Sequence, residues 1–343
     1  MTTDKLKFFP ITFFSSVMGL AGYTIALTKI NEVFALGLDW LIAALTYLVT
    51  IQFGLVLLIY LLKLVKHPTA VKQEFHHPIK IHFTPTISIS ILIISVLFQK
   101  LLPNLAFVLW AIGSVLHLIL LLYIINKWIF HDFQLNLKNP SWFIPALGTI
   151  LVPIAGTNFS PEISWFFYSI GMVMWLPLFT ILLYRLFFAE PMPAKLWPTL
   201  TILLAPPAVG FLSYIKLVGN LDAFAKVLFY FGIFSFLLIL SLTRKFVPLP
   251  LFMSWWAYTF PLAAFTTSVI LYYQLSQLAM LAILAIGLFL LTTLVVLLVL
   301  TATIINVWQG KIFVEEWFSQ SVHWKLLPLN QLFKNPTKNF SEI

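Results

Sequence analysis

The sequence predicts an all-α protein threaded ten times through a membrane, and three observations carry that prediction. Ten apolar stretches, each about long enough to cross a hydrocarbon core, run from Pro10 to Trp308, and none has a charged residue at its middle. Of the 343 residues, 61% are hydrophobic and 9% charged, against about 25% charged in soluble domains, and mean hydropathy is +1.00. The basic residues are unevenly shared between the two ends of these stretches, as they are in multi-pass membrane proteins.

The spans follow in order as residues 10–29, 39–64, 84–102, 104–127, 141–159, 163–188, 197–217, 223–243, 252–273 and 278–308. A spanning helix needs roughly 20 apolar residues, so ten fit with short connections into one transmembrane domain, residues 1–310, followed by a cytoplasmic tail, residues 311–343. The first span is too long for a signal sequence and has no small-residue cleavage site, so it reads as a retained helix; Gly19 and Gly22 loosen it. After the second span, Val65 to Phe83 carries three lysines and four histidines, His67, His76, His77 and His82. Their spacing matches no common ligand pattern, and the segment reads as a basic loop facing anionic lipid rather than a metal site. The third span holds Ser88, Ser90 and Ser95, the fifth Pro145, Thr149 and Pro153, the seventh Thr201, Pro206 and Pro207, and the ninth Thr259, Pro261, Thr266, Thr267 and Ser268. The even spans are richer in continuous Leu, Ile, Val and Phe, notably Leu288 to Leu300, although Pro177 in the sixth departs from this alternation. The tail mixes charge with Trp317, Trp324 and prolines, and reads as an interfacial segment ending in disorder.

Sixteen Lys and Arg fall with the two termini and the loops after spans 2, 4, 6 and 8; only Lys29, Lys100, Lys216 and Lys226 fall on the opposite side. The positive-inside rule then puts both termini in the cytoplasm. The net charge of +9 is thereby an orientation signal, and no nucleic-acid partner is implied. Trp40, Trp142, Trp165, Trp197, Trp255, Trp256 and Trp308 sit near span ends, where an aromatic belt would anchor them in headgroups.

Proline removes a ladder hydrogen bond, so the bent odd spans survive in lipid only where neighbours or water satisfy the freed groups. That favours an inner, water-lined place for spans 1, 3, 5, 7 and 9, with the even spans facing lipid. The residues that would line such a path are Ser15, Gly19, Ser88, Ser95, Thr149, Pro153, Pro206, Pro207, Thr259, Pro261 and Thr267. None of the eleven acids lies mid-span, and His117 alone sits deep, where it reads as a packing residue rather than a proton relay. Helix breaks at Pro145, Pro153, Pro206 and Pro261 would expose N–H groups that favour anions, and Lys216 and Lys226 would concentrate anions at the outer mouth. No cysteine is present, which removes disulfides, thiolate metal sites and cysteine nucleophiles. No mid-membrane Asp pair and no helical His-Glu zinc motif occur, so neither catalysis nor a cofactor is expected.

Four segments resemble the tellurite-resistance and dicarboxylate transporter family, which includes the plant slow-type anion channels of guard cells. They are Glu74-Phe75-His76-His77-Pro78, Pro140-Ser141-Trp142-Phe143-Ile144-Pro145-Ala146, Leu204-Ala205-Pro206-Pro207-Ala208 and Trp255-Trp256-Ala257-Tyr258-Thr259-Phe260-Pro261. The resemblance implies five helical hairpins in a quasi-fivefold ring with the odd helices lining a central pore, three subunits per assembly, and a bacterial inner (plasma) membrane location. It also implies that an aromatic residue of the ninth helix plugs the pore, which by motif is Phe260. Ser15 and Val17 depart from the Gly and Pro of bacterial relatives, so the pore would be shaped differently there; the third span also lacks a central proline. The chain has no long N-terminal extension, so the plant members' regulatory phosphorylation is not expected. The function implied is passive conduction of small anions such as chloride or nitrate. The alternative is secondary export of dicarboxylates or tellurite.

Overall fold

A computed structural model describes residues 5–246, 253–310 and 312. Every regular element among them is helical. The α-helices are α1 (Phe14–Phe34), α2 (Asp39–Lys66), α3 (Pro68–His76), α4 (Thr86–Phe98), α5 (Pro103–Phe130), α6 (Phe143–Gly156), α7 (Pro161–Phe188), α8 (Ala205–Val218), α9 (Ala223–Phe246), α10 (Trp256–Ser276) and α11 (Ala279–Trp308). Short 3-10 turns lead into α1, α4, α6 and α10, and a longer one, Ala194–Leu204, leads into α8. The tail expected at 311–343 lies outside the described residues, apart from residue 312.

Among the described residues, eight helical segments are long and apolar enough to cross a membrane, where the sequence predicted ten. The segment Pro140–Gly156 is shorter: a 3-10 turn opens it at Pro140 and α6 ends at Gly156. The other, α10, has 21 residues but carries Thr259, Thr266, Thr267, Ser268 and three tyrosines among them. The chain is a multi-pass membrane protein.

Burial separates the helices into two sets. The most apolar windows of Ile11–Phe34, Lys80–Phe98 and Ala194–Val218 are 67%, 83% and 78% buried, whereas those containing α2, α5, α7, α9 and α11 are only 22–33% buried. In α6 nearly every residue is buried, and in α10 most are. The five buried helices touch one another in the order α1, α4, α6, α8, α10 and back to α1. Each exposed helix lies against two members that are consecutive in this order, as α5 does against α4 and α6, and α11 against α10 and α1.

The exposed helices explain why hydropathy alone could not orient them. In α5 the buried stripe is Ala106, Trp110, Gly113, Ser114, His117, Leu121 and Ile124, at helical three- and four-residue spacing, while Phe107, Val108, Ile112, Val115, Ile119 and Leu122 are exposed. Both faces are apolar. The buried one is marked by small and polar residues, the composition that lets membrane helices pack closely.

The segment after α2 departs from the expected lipid-facing loop. Its residues 68–76 form α3, and Glu74 is buried against α2, where its Oε1 pairs with Lys63 Nζ at 2.8 Å and its Oε2 accepts from Tyr60 OH at 2.9 Å. Lys63 also donates to the Phe9 carbonyl at 2.7 Å. His82 is wholly buried, its ring stacked on Trp142 at 4.5 Å, with its Nε2 accepting from Trp128 Nε1 at 2.9 Å. A histidine packed against two stacked indoles joins this segment to α5 and to the turn before α6. Trp142 and Trp256 are therefore interior residues, not part of a belt; Trp40 and Trp308, 70% and 90% exposed, remain at the surface.

Candidate functional site

One small pocket draws on all five buried helices or the turns that lead into them. Ser15 and Met18 come from α1, Phe83 from the turn before α4 and Thr86 from its start, Ile144 and Leu147 from α6, Ile202 from the turn before α8, and Trp256, Ala257, Phe260 and Pro261 from α10. None of these is charged, and the Thr86 hydroxyl is already bonded to the Phe83 carbonyl. The pocket sits near the N-terminal ends of the buried helices. Phe260 is 6% exposed, and its ring lies between the pocket and Gly22, where an added Cβ would come within 2.9 Å of the ring. A Cβ at Gly19 would collide with Thr259 and Trp256. These two glycines let α1 approach α10 closely enough to set the ring in place.

Of the residues the sequence selected for the path, Ser15, Phe260 and Pro261 meet in this pocket, with Gly19 and Thr259 touching beside it. Thr259 Oγ1 donates to the Trp256 carbonyl at 2.8 Å and Thr267 Oγ1 to the Ala263 carbonyl at 2.8 Å, both within α10. Thr149 donates to the Ala146 carbonyl at 2.6 Å and lies where a side chain at Gly171 of α7 would be. Ser95 donates to the Ala106 carbonyl of α5 at 2.6 Å. Ser88 Oγ is 2.9 Å from His117 Nδ1, and His117 Nε2 is 2.8 Å from the Pro145 carbonyl. A carbonyl can only accept, so Nε2 bears the proton and, in the neutral ring, Nδ1 accepts from Ser88. His117 thus ties α4, α5 and α6 together, with its ring in the space left by Gly148. Ser88, Ser95 and Thr149 serve helix contacts away from the pocket.

The prolines act differently from the expected helix breaks. Pro153 and Pro261 lie inside α6 and α10, which continue past them, so no new helix start forms there. A start does form at Ala205, but Pro206 and Pro207 in that first turn have no N–H, and the Ala205 N–H is bonded to the Ile202 carbonyl. The break that exists therefore presents no free donors to an anion.

At the far end of the buried helices the charges gather. Lys29 Nζ is 3.2 Å from Glu32 Oε2, and Lys100 Nζ is 2.8 Å from Glu32 Oε1. Lys216, at the end of α8, lies within electrostatic reach of all three. Lys226 is exposed on α9, and nothing brings it into this group. The sequence had placed Lys29, Lys100 and Lys216 on one side of the membrane but named only Lys216 and Lys226 for the mouth; it did not single out Glu32, although the three-residue spacing of Lys29 and Glu32 was a local signal of an ion pair.

Residues 8–304 match the SLAC1 family, described as voltage-dependent anion channels. The chain belongs to that family. It is 27% identical to an uncharacterised transporter of Methanocaldococcus jannaschii over 91% of this chain and 98% of the relative. It is 26% identical to the guard cell S-type anion channel SLAC1 of Arabidopsis thaliana over 77% of this chain and 50% of that protein. A tellurite resistance protein TehA homolog of Haemophilus influenzae is 25% identical over 79% of this chain and 84% of its own length. The matched SLAC1-family region contains all five buried helices, the Phe260 pocket and the lysine cluster. It also contains the four segments that carried the resemblance, and the family consists of channels and transporters rather than enzymes.

Proposed function

We propose that this chain is a passive channel for small anions, closed at Phe260. In this reading the five hairpins form a quasi-fivefold ring, the helices α1, α4, α6, α8 and α10 line one pore per subunit, and residues 1–310 act as a single channel domain in a trimer. Both termini face the cytoplasm, and the membrane is the plasma membrane of a bacterium. The observation that supports the reading is an uncharged pocket lined by α1, α4, α6, α10 and the turn that leads into α8, with the Phe260 ring in its wall. A phenyl ring there excludes water and gives an anion no hydrogen-bond partner, while the lack of intramembrane charge suits weak binding and conduction. Rotation of the ring would open the path.

The competing reading is a coupled exporter of dicarboxylates or tellurite, favoured by the names of the archaeal relative, a transporter, and the Haemophilus relative, a tellurite resistance protein homolog. Coupling to protons needs a titrating group at depth, and both His117 nitrogens have partners. Reversal potentials recorded with purified protein under chloride, nitrate and malate gradients decide between them. A channel gives currents that reverse at the anion Nernst potential with no proton dependence. Electrically silent, proton-driven uptake into proteoliposomes would replace this reading with the exporter.

A further inference from the structure

We propose that Lys29, Lys100 and Lys216 form an anion-capture site at the end of the pore away from Phe260, and that Glu32 sets its strength. The inference rests on the channel reading above and deepens it by naming where a small monovalent anion first binds. From Met18 at the pocket to Glu32, α1 covers about 21 Å at 1.5 Å per residue, so this site is separate from the gate.

The five buried helices all end here. Gln99 Nε2, just after α4, donates to the Ala155 carbonyl of α6 at 2.9 Å, and Phe34 of α1 stacks on Tyr273 of α10 at 5.6 Å. Each helix C-terminus carries roughly half a negative charge, so without counter-charge this mouth would repel anions. Three lysines drawn from α1, the turn after α4 and α8 supply that counter-charge. Glu32 withdraws part of it, because its two oxygens occupy Lys29 and Lys100. The carboxylate holds the position a permeating anion would take between the two ammonium groups. Side-chain exposures of 43% for Glu32 and 74% for Lys100 leave the pair open to exchange with solution. Glu32 is thus a built-in competitor that keeps capture weak, and weak capture is a condition for release into the pore.

The test uses full-length protein carrying Phe260→Ala, to give an open path, in planar bilayers with chloride as the probe. At low ionic strength, Glu32→Gln should raise chloride current drawn from this side about two- to threefold and lower the concentration for half-maximal conductance. Lys100→Gln should reduce the current by a similar factor. Both effects should vanish near 1 M salt, where the screening length is about 3 Å. Chloride current that ignores both substitutions, or changes that persist at high salt, would overturn the mouth assignment alone. Absence of any chloride current would overturn the channel reading and this site with it.

Discussion

Replacing Phe260 with alanine tests the gate most directly. The pocket offers a passing anion two hydroxyls, those of Ser15 and Thr86, and the second is committed to the Phe83 carbonyl. An anion pressed against the phenyl ring forgoes at least one hydrogen bond to water without replacement, at a cost of about 2–4 kcal/mol for that bond. With 1.4 kcal/mol per tenfold, relief of that cost corresponds to roughly 30- to 700-fold in transit rate. Current per reconstituted protein should rise by at least about tenfold, and Phe260→Leu should give a smaller rise because a branched aliphatic group still fills part of the lumen. The assay is planar-bilayer or proteoliposome conductance at matched protein density, with size-exclusion elution confirming that the variants keep the wild-type assembly. Unchanged or smaller currents from intact Phe260→Ala protein would refute the argument that the ring is the barrier.

The buried Lys63–Glu74 pair gives a stability prediction: Glu74→Ala leaves an ammonium buried without its carboxylate, and should cost about 3–5 kcal/mol, seen as a lower unfolding temperature in detergent. A drop no larger than for an exposed glutamate such as Glu162 would contradict it. His117→Leu should weaken the fold through loss of the Ser88 and Pro145 contacts yet leave conduction independent of pH; loss of a proton-coupled flux would instead mark it as a relay. His77 is held at about 4, below its usual range, mainly by burial and secondarily by Lys80, and its Nδ1 accepts from the backbone N–H groups of Ile79 and Lys80 at 3.1 and 3.3 Å. The unfolded histidine takes up a proton near pH 6.5 while the folded one stays neutral down to about 4, so the unfolded chain binds more protons in that window and stability falls as pH falls through it. Hydrogen-exchange protection of the Ile79 and Lys80 amides should therefore decline from pH 7 to pH 5, and His77→Asn should flatten that decline.

Much of the architecture was legible because lipid exposure and helix contact demand different residues. The bent, hydroxyl-bearing odd spans became the buried helices, and the Leu- and Ile-rich even spans the exposed ones. That division follows from composition averaged along each span, which survives errors of a few residues in its ends. Individual side chains were less legible, because the sequence gives depth but not azimuth. Ser88, Ser95 and Thr149 sit within the predicted spans, yet their hydroxyls turn to other helices or to their own backbone and none lines the pocket. Met18, Leu147 and Ile202 do reach the pocket, yet they look like any packing residue. The loop after α2 misled for another reason: its lysines and histidines are common in solvated loops, and only contacts distant in sequence, Lys63 to Glu74 and His82 to Trp128 and Trp142, make it interior.

Polarity is arranged to keep the pocket bare. The hydroxyls of Ser88, Ser95, Thr149, Thr259 and Thr267 all return to carbonyls or to His117, because a membrane gives an unsatisfied group no other partner. The prolines that bend the buried helices remove N–H donors at the one break they create. Neither device leaves a dipole aimed at a passing ion, so in the proposed channel attraction would come from the lysines at the far end, and resistance from the ring at Phe260. Separating the two by about 21 Å means that charge substitutions at Glu32 and Lys100 should alter how anions are gathered, while substitutions at Phe260 alter whether they cross. Combining Phe260→Ala with Glu32→Gln should therefore multiply their separate effects at low salt; a strong departure from that product would mean that the mouth and the ring form one coupled barrier.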